Sequence, residues 1–97
     1  MTKEDIIRTL ARRTGLTRAQ VAAVQEGLVR EVREAVSRGE RVYLRGLGTF
    51  ERKRVAEKKA RRPLENAPMV VPAHDAPHFR ASREFKDAVL EAAAPAD

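Results

Sequence analysis

Apolar residues recur every three or four positions at the start of the chain, alternate with polar ones in the middle, and return to helical spacing near the end. Ile6, Ile7, Leu10 and Ala11 share one side of the first stretch, with Lys3, Glu4, Arg8, Arg12 and Arg13 opposite. Thr2 with Asp5 three residues on reads as a capping box, and Gly15 suits a left-handed stop. The pattern predicts a helix over residues 3–13. A second box, Thr17 with Gln20, opens a longer helix that Gly39 ends, with a seam of Val21, Val24, Leu28, Val32, Ala35 and Val36. The short link at Gly15 and Leu16 leaves little freedom, so the two helices are expected to pack as a hairpin. Their seam can serve an intrachain core, pairing with a second copy, or both.

After Gly39 the period falls to two. Val42 and Leu44 alternate with Arg41, Tyr43 and Arg45, and Gly46-Leu47-Gly48 supplies a turn before a second strand at Thr49. Glycine at both turn positions also suits close approach of a phosphate, but the turn alone accounts for them. The second strand runs on to Arg62 without a local breaker. Alternation puts Arg52, Arg54, Lys58 and Arg62 on one face and Lys53, Val55, Lys59 and Arg61 on the other. Neither face is apolar enough to pack on a core, so the segment is expected to leave the body as an arm. A strand continues the hairpin, although Ala56 to Ala60 also suits a helix. Residues 64–68 read as a turn and residues 69–72 as a returning strand, giving a candidate β-ribbon over residues 52–75. His74 to His78 reads as a polar connector. Two His four apart share a metal only on a helix, which Pro72 and Pro77 disfavour, so no metal site is expected. Ser82 caps a last helix bearing Phe85, Ala88, Val89 and Ala92 on one side.

Charge sharpens this outline. Residues 52–62 carry seven Lys or Arg and one Glu, and without them the chain keeps 13 charges of each sign. The whole excess of +6 is thus local. A cationic strip ending in Pro63 is suited to a polyanion, because each cation that pairs a phosphate releases condensed counterions. An apolar tip on such a ribbon can act as a wedge between base steps, or Pro63 can be simply a turn residue. No cysteine is present, so neither a disulfide nor a thiolate metal site is available, as fits a reducing cytoplasm. At 97 residues the core is small, and dimerisation is the remaining way to enlarge it. No stretch reads as a membrane span or signal peptide, and a soluble, non-exported chain is expected. The two His and the carboxylates form no catalytic constellation, so neither an enzyme nor a cofactor is expected.

In order and spacing, Thr14-Gly15-Leu16, Gly46-Leu47-Gly48-Thr49-Phe50-Glu51, Arg61-Arg62-Pro63, Pro72-Ala73, Pro77-His78-Phe79 and Phe85-Lys86-Asp87-Ala88-Val89 resemble the HU/IHF family of bacterial nucleoid DNA-bending proteins. The match runs from Met1 to about Leu90. The resemblance implies an α+β fold: an intertwined homodimer with an N-terminal helical hairpin, a three-stranded antiparallel sheet extended into a β-ribbon arm, and a short C-terminal helix. It implies one domain over residues 1–97, with a helical dimerisation part at 1–39, sheet and arm at 40–81 and the last helix at 82–93. It further implies a histone-like architectural protein of the cytoplasmic nucleoid that bends duplex DNA and does no catalysis. Pro63 falls on the intercalating tip position, and Lys53, Lys58, Lys59, Arg61 and Arg62 fall on arm positions that hold DNA. Arg80, Arg83 and Lys86 fall where the body meets phosphates, and Arg52 and Arg54 add arm charge of this chain's own. Leu47 stands where a second core Phe is usual, Ala60 replaces a common glycine, and residues 64–67 replace a tip that usually contains Thr-Gly. Low sequence specificity is expected, since the arm has no Asn or Gln between Arg52 and Pro63 to read base edges. The alternatives are a sequence-selective DNA bender of the same family and, from another class, an RNA- or protein-binding module with a disordered basic segment and no dimer.

Overall fold

Local capping signals set the helix boundaries in the computed structural model, which describes residues 1–62 and 67–93. The Thr2 amide donates to Asp5 Oδ2 at 2.9 Å and the Asp5 amide to Thr2 Oγ1 at 3.4 Å, opening α1 (Lys3–Thr14). The Thr2 amide, with its hydroxyl, holds the Asp5 carboxyl below its usual pKa. Gly15, at φ 78°, closes α1 in the left-handed conformation. The second box forms too: Thr17 donates to Gln20 Oε1 at 3.0 Å and the Gln20 amide to Thr17 Oγ1 at 3.1 Å, ahead of α2 (Arg18–Ser37). The α2 end is a Schellman motif, with Gly39 donating to the Val36 carbonyl and Glu40 to that of Ala35.

The chain divides into two compact units, Met1–Glu34 and Ala35–Asp97. In the first, Ile7 of α1 and Val21 of α2 are the buried side chains. The expected α2 seam is only partly covered in the single chain. Val21, Ala35 and Val36 are buried, but Val24 is 68% and Leu28 49% exposed. Apolar positions at helical spacing left open in this way suit a second helical face.

The second unit holds β1 (Val42–Leu44), β2 (Gly48–Val55), β3 (Lys58–Arg62), β4 (Ala67–Val71), β5 (His74–Ala81) and α3 (Arg83–Ala93). A three-stranded antiparallel sheet has the order β1-β2-β5, and β3 pairs antiparallel with β4. Cross-strand pairing aligns Val42, Phe50 and Phe79 in one apolar row. The Phe50 and Phe79 rings lie 4.8 Å apart, and Phe85 of α3 meets Phe79 at 6.4 Å. The Ser82 hydroxyl accepts from the Phe85 amide at 3.2 Å and caps α3.

The turn between β1 and β2 accounts for Gly46, and the close approach of β5 accounts for Gly48, without a ligand. The Leu47 amide donates to the Leu44 carbonyl, and Gly46 takes φ 85°. At Gly48 a Cβ would sit 2.4 Å from the Arg80 carbonyl oxygen and 2.8 Å from the Phe79 ring. Gly48→Ala is therefore expected to cost about 2–3 kcal/mol of stability. Circular-dichroism melting should show this as a fall of about 10–20 °C in Tm. A Tm within about 2 °C of the parent would show that the sheet yields there at little cost.

Three details differ from the sequence expectation. Residues 74–78 are not a connector: they belong to β5, where His78 pairs with Glu51 and Ala76 with Lys53. Pro77 is accommodated because β5 lies at the edge of its sheet. The arm strand is interrupted at Ala56 and Glu57, across from Pro72 and Ala73, where Pro72 has no N–H to donate. Finally, Ala67 and Pro68 open β4 rather than ending a turn.

Candidate nucleic-acid interface

The arm is one ribbon in register. Val55 pairs with His74 and Lys58 with Val71, three steps on along one strand against three steps back along the other. The interruption therefore adds no bulge, and pairing continues to Arg62 opposite Ala67. Residues 52–55, 58–62 and 67–71 are strand, so the basic segment is held in order on the sheet and is not the disordered run weighed from sequence. Pro63, like Leu64, Glu65 and Asn66, lies outside the described residues.

Alternation divides the basic residues of the arm root between two faces. Lys53 shares a face with Tyr43, Thr49, Glu51, His78 and Arg80, opposite the Phe50–Phe79 row. This polar face is mainly cationic. Glu51, 19% exposed, lies between Arg41 Nε at 3.7 Å and Arg80 Nη1 at 3.9 Å. Both distances are long and both guanidinium groups remain largely exposed, so such pairs bind weakly and leave the cations able to meet a phosphate. Arg41 was not among the contact residues expected from the sequence, although its alternation with Val42 already put it on the side of Tyr43.

Arg52 and Arg54 lie on the other face, the one that carries Phe50 and Phe79. Arg54 Nη1 lies 3.3 Å from Asp75 Oδ1, its direct cross-strand partner, and Arg52 Nε lies 3.8 Å from Asp75 Oδ2. Arg52 Nη1 also donates to the Ser37 carbonyl at 3.1 Å. Arg52, 45% exposed, is thus held at two points within the chain, whereas Arg54 meets Asp75 alone and stays 67% exposed. Further out, Lys58 pairs with Val71 and Lys59 with Val70, and both lysines are exposed. Arg83 and Lys86 lie exposed on α3, with Arg83 Nε 3.8 Å from Asp87 one turn on.

His74 and His78 share one face of β5, but four residues of extended strand separate their Cα atoms by about 13 Å. That spacing prevents them from sharing a metal ion. His74 Nδ1 instead lies 2.9 Å from the Pro72 carbonyl oxygen.

Residues 1–90 match the family model described as "Bacterial DNA-binding protein". A Clostridium pasteurianum protein described as "DNA-binding protein HU" is 36% identical over 89 residues, covering 92% of this chain and 98% of that protein. A Staphylococcus aureus protein of the same description is 32% identical over 92% of this chain and 99% of its own length. Among solved structures, a chain of an Anabaena HU–DNA cocrystal superposes with a TM-score of 0.85 at 32% identity, covering 92% of this chain and 97% of that one. HU from Thermotoga maritima, at 21% identity and a TM-score of 0.64, shares the fold.

Proposed function

Since the chain belongs to the HU/IHF family of bacterial DNA-binding proteins, we propose that it is a homodimeric architectural protein that binds and bends duplex DNA with little sequence preference. The observation that carries this reading is the ordered ribbon, a paired strand scaffold that carries the chain's whole charge excess while the rest of the sequence is formally neutral. A polyanion of regular spacing is the ligand such a device meets best. In this reading Lys53, Lys58, Lys59, Arg61, Arg62, Arg80, Arg83 and Lys86 hold phosphates, joined by Arg41, and Pro63 is the wedge. The phosphate contacts position the duplex, and the sequence dependence comes from how readily the duplex bends. The exposed Val24 and Leu28 of α2 support pairing with a second copy. The nucleoid is the compartment that this role implies, and no catalytic step belongs to it.

The test is end-to-end fluorescence transfer on a labelled duplex of about 35 base pairs, titrated at two salt concentrations. Salt-sensitive binding with the ends drawn together is the expected result. Salt-sensitive binding with the ends unmoved would reject bending and keep DNA binding. Binding that ignores salt would overturn the phosphate-contact reading altogether.

A further inference from the structure

Arg52 carries the charge of a DNA contact but the geometry of a strut. The Schellman motif at the end of α2 satisfies the Ala35 and Val36 carbonyls and leaves that of Ser37 to another donor. Arg52 Nη1 supplies one at 3.1 Å. The last turn of α2 contains no basic residue of its own, and this guanidinium adds a cation from the adjoining strand to the one that Arg38 places just past the helix end. Its Nη2 passes so close to Gly39 that a Cβ there would lie 3.0 Å away. On its other edge, Nε faces Asp75 Oδ2, while Asp75 Oδ1 takes Arg54 across the strand pair. One planar group thus links the helix end, β2 and β5 at the point where the ribbon leaves the body.

The geometry points to Arg52 and Asp75 as positioning residues, a latch that fixes the direction in which the arm projects. Arg52 contacts the helix end and β5 rather than DNA, and acts on the duplex through the residues further out, Lys58 to Pro63. The latch is suited to this task because it sits at the root of the ribbon, and the register it holds there continues past Ala56 and Glu57, from Val55 opposite His74 to Lys58 opposite Val71. A guanidinium is required. Its rigid fork meets a carbonyl and a carboxylate on different edges, which the single ammonium of lysine cannot do from one position.

The inference rests on the DNA-binding reading for only one of its two readouts. The first, amide hydrogen exchange of the free protein, needs no DNA. Arg52→Lys and Asp75→Asn should each accelerate exchange in residues 52–55 and 74–77 by about fivefold, the scale of a lost charge-assisted contact at a partly exposed site. Exchange in α1 should stay unchanged, which separates local loosening from general destabilisation. The second readout is the bend of the saturated DNA complex together with the salt slope. Both variants should bend DNA less while the salt slope keeps its parent value. If Arg52 were a phosphate contact, Arg52→Lys would preserve binding and bend, and Asp75→Asn, which adds net positive charge, would bind more tightly with the bend intact. Either of those results, or parent-like exchange at the arm root in both variants, overturns the latch. If the parent protein fails to bind DNA, the exchange readout still decides the point.

Discussion

Replacing Lys58 and Arg61 together by alanine should weaken duplex binding about a thousandfold at 0.1 M salt and flatten its salt dependence. Each phosphate neutralised on duplex DNA contributes about −0.9 to the slope of log affinity against log salt. A homodimer with both arms engaged loses four cations, so the slope should become shallower by about 3.6. If only one arm touches the duplex, the change halves to about 1.8, and the experiment then also reports the number of arms in contact. Lys58 pairs with Val71 on a ribbon that is held by backbone pairing rather than by its exposed side chain. The double variant should therefore melt at the parent temperature, which separates lost charge from lost fold. Fluorescence anisotropy at four salt concentrations measures both quantities. A parent-like slope would remove the arm from the binding site and transfer that role to the cationic sheet face around Arg41 and Arg80.

The features legible in the sequence were those decided within a few residues. Both capping boxes, the Gly15 stop, the Gly46–Gly48 turn and the Ser82 cap depend on local backbone needs that particular residue types meet. The features that escaped it were decided by a partner strand. Residues 74–78, two histidines around Pro77, read as a polar connector, because a proline weakens a strand taken alone. β5 exists because β2 offers it an edge position, where a missing N–H is tolerated. The interruption at Ala56 and Glu57 has no cause in those two residues, and it becomes intelligible only when the register brings Pro72 opposite. The same holds for the candidate site. Alternation correctly separated Arg52 and Arg54 from Lys53, but charge alone does not distinguish a cation reserved for a phosphate from one already engaged. Asp75 lies 21 residues from Arg54 in sequence and directly across from it in the sheet, and that register changes the reading of both arginines.

Pro63→Ala should separate bending from binding. The substitution removes no charge, so the salt slope should stay at the parent value. It does remove the rigid apolar ring that the family resemblance places at the arm tip. Inserting such a ring unstacks a base step at a cost of a few kcal/mol, offset by the further contacts that the bent duplex makes with the body. Without the wedge both the cost and much of the return disappear together. Affinity should then fall by less than about tenfold, while the bend of the saturated complex falls by about half or more. The tip of this chain makes the outcome informative. Leu64, next to Pro63 in sequence, offers a second apolar group, whereas Glu65 adds a negative charge two residues on. If Leu64 shares the insertion, Pro63→Ala should leave part of the bend and Pro63→Ala with Leu64→Ala should remove it. Fluorescence transfer across the labelled duplex, read at saturation for the parent and both variants, distinguishes these cases. A bend that survives the double substitution would mean that the curvature comes from phosphate contacts along Lys53, Lys58 and Arg80, with the tip only tracking the groove.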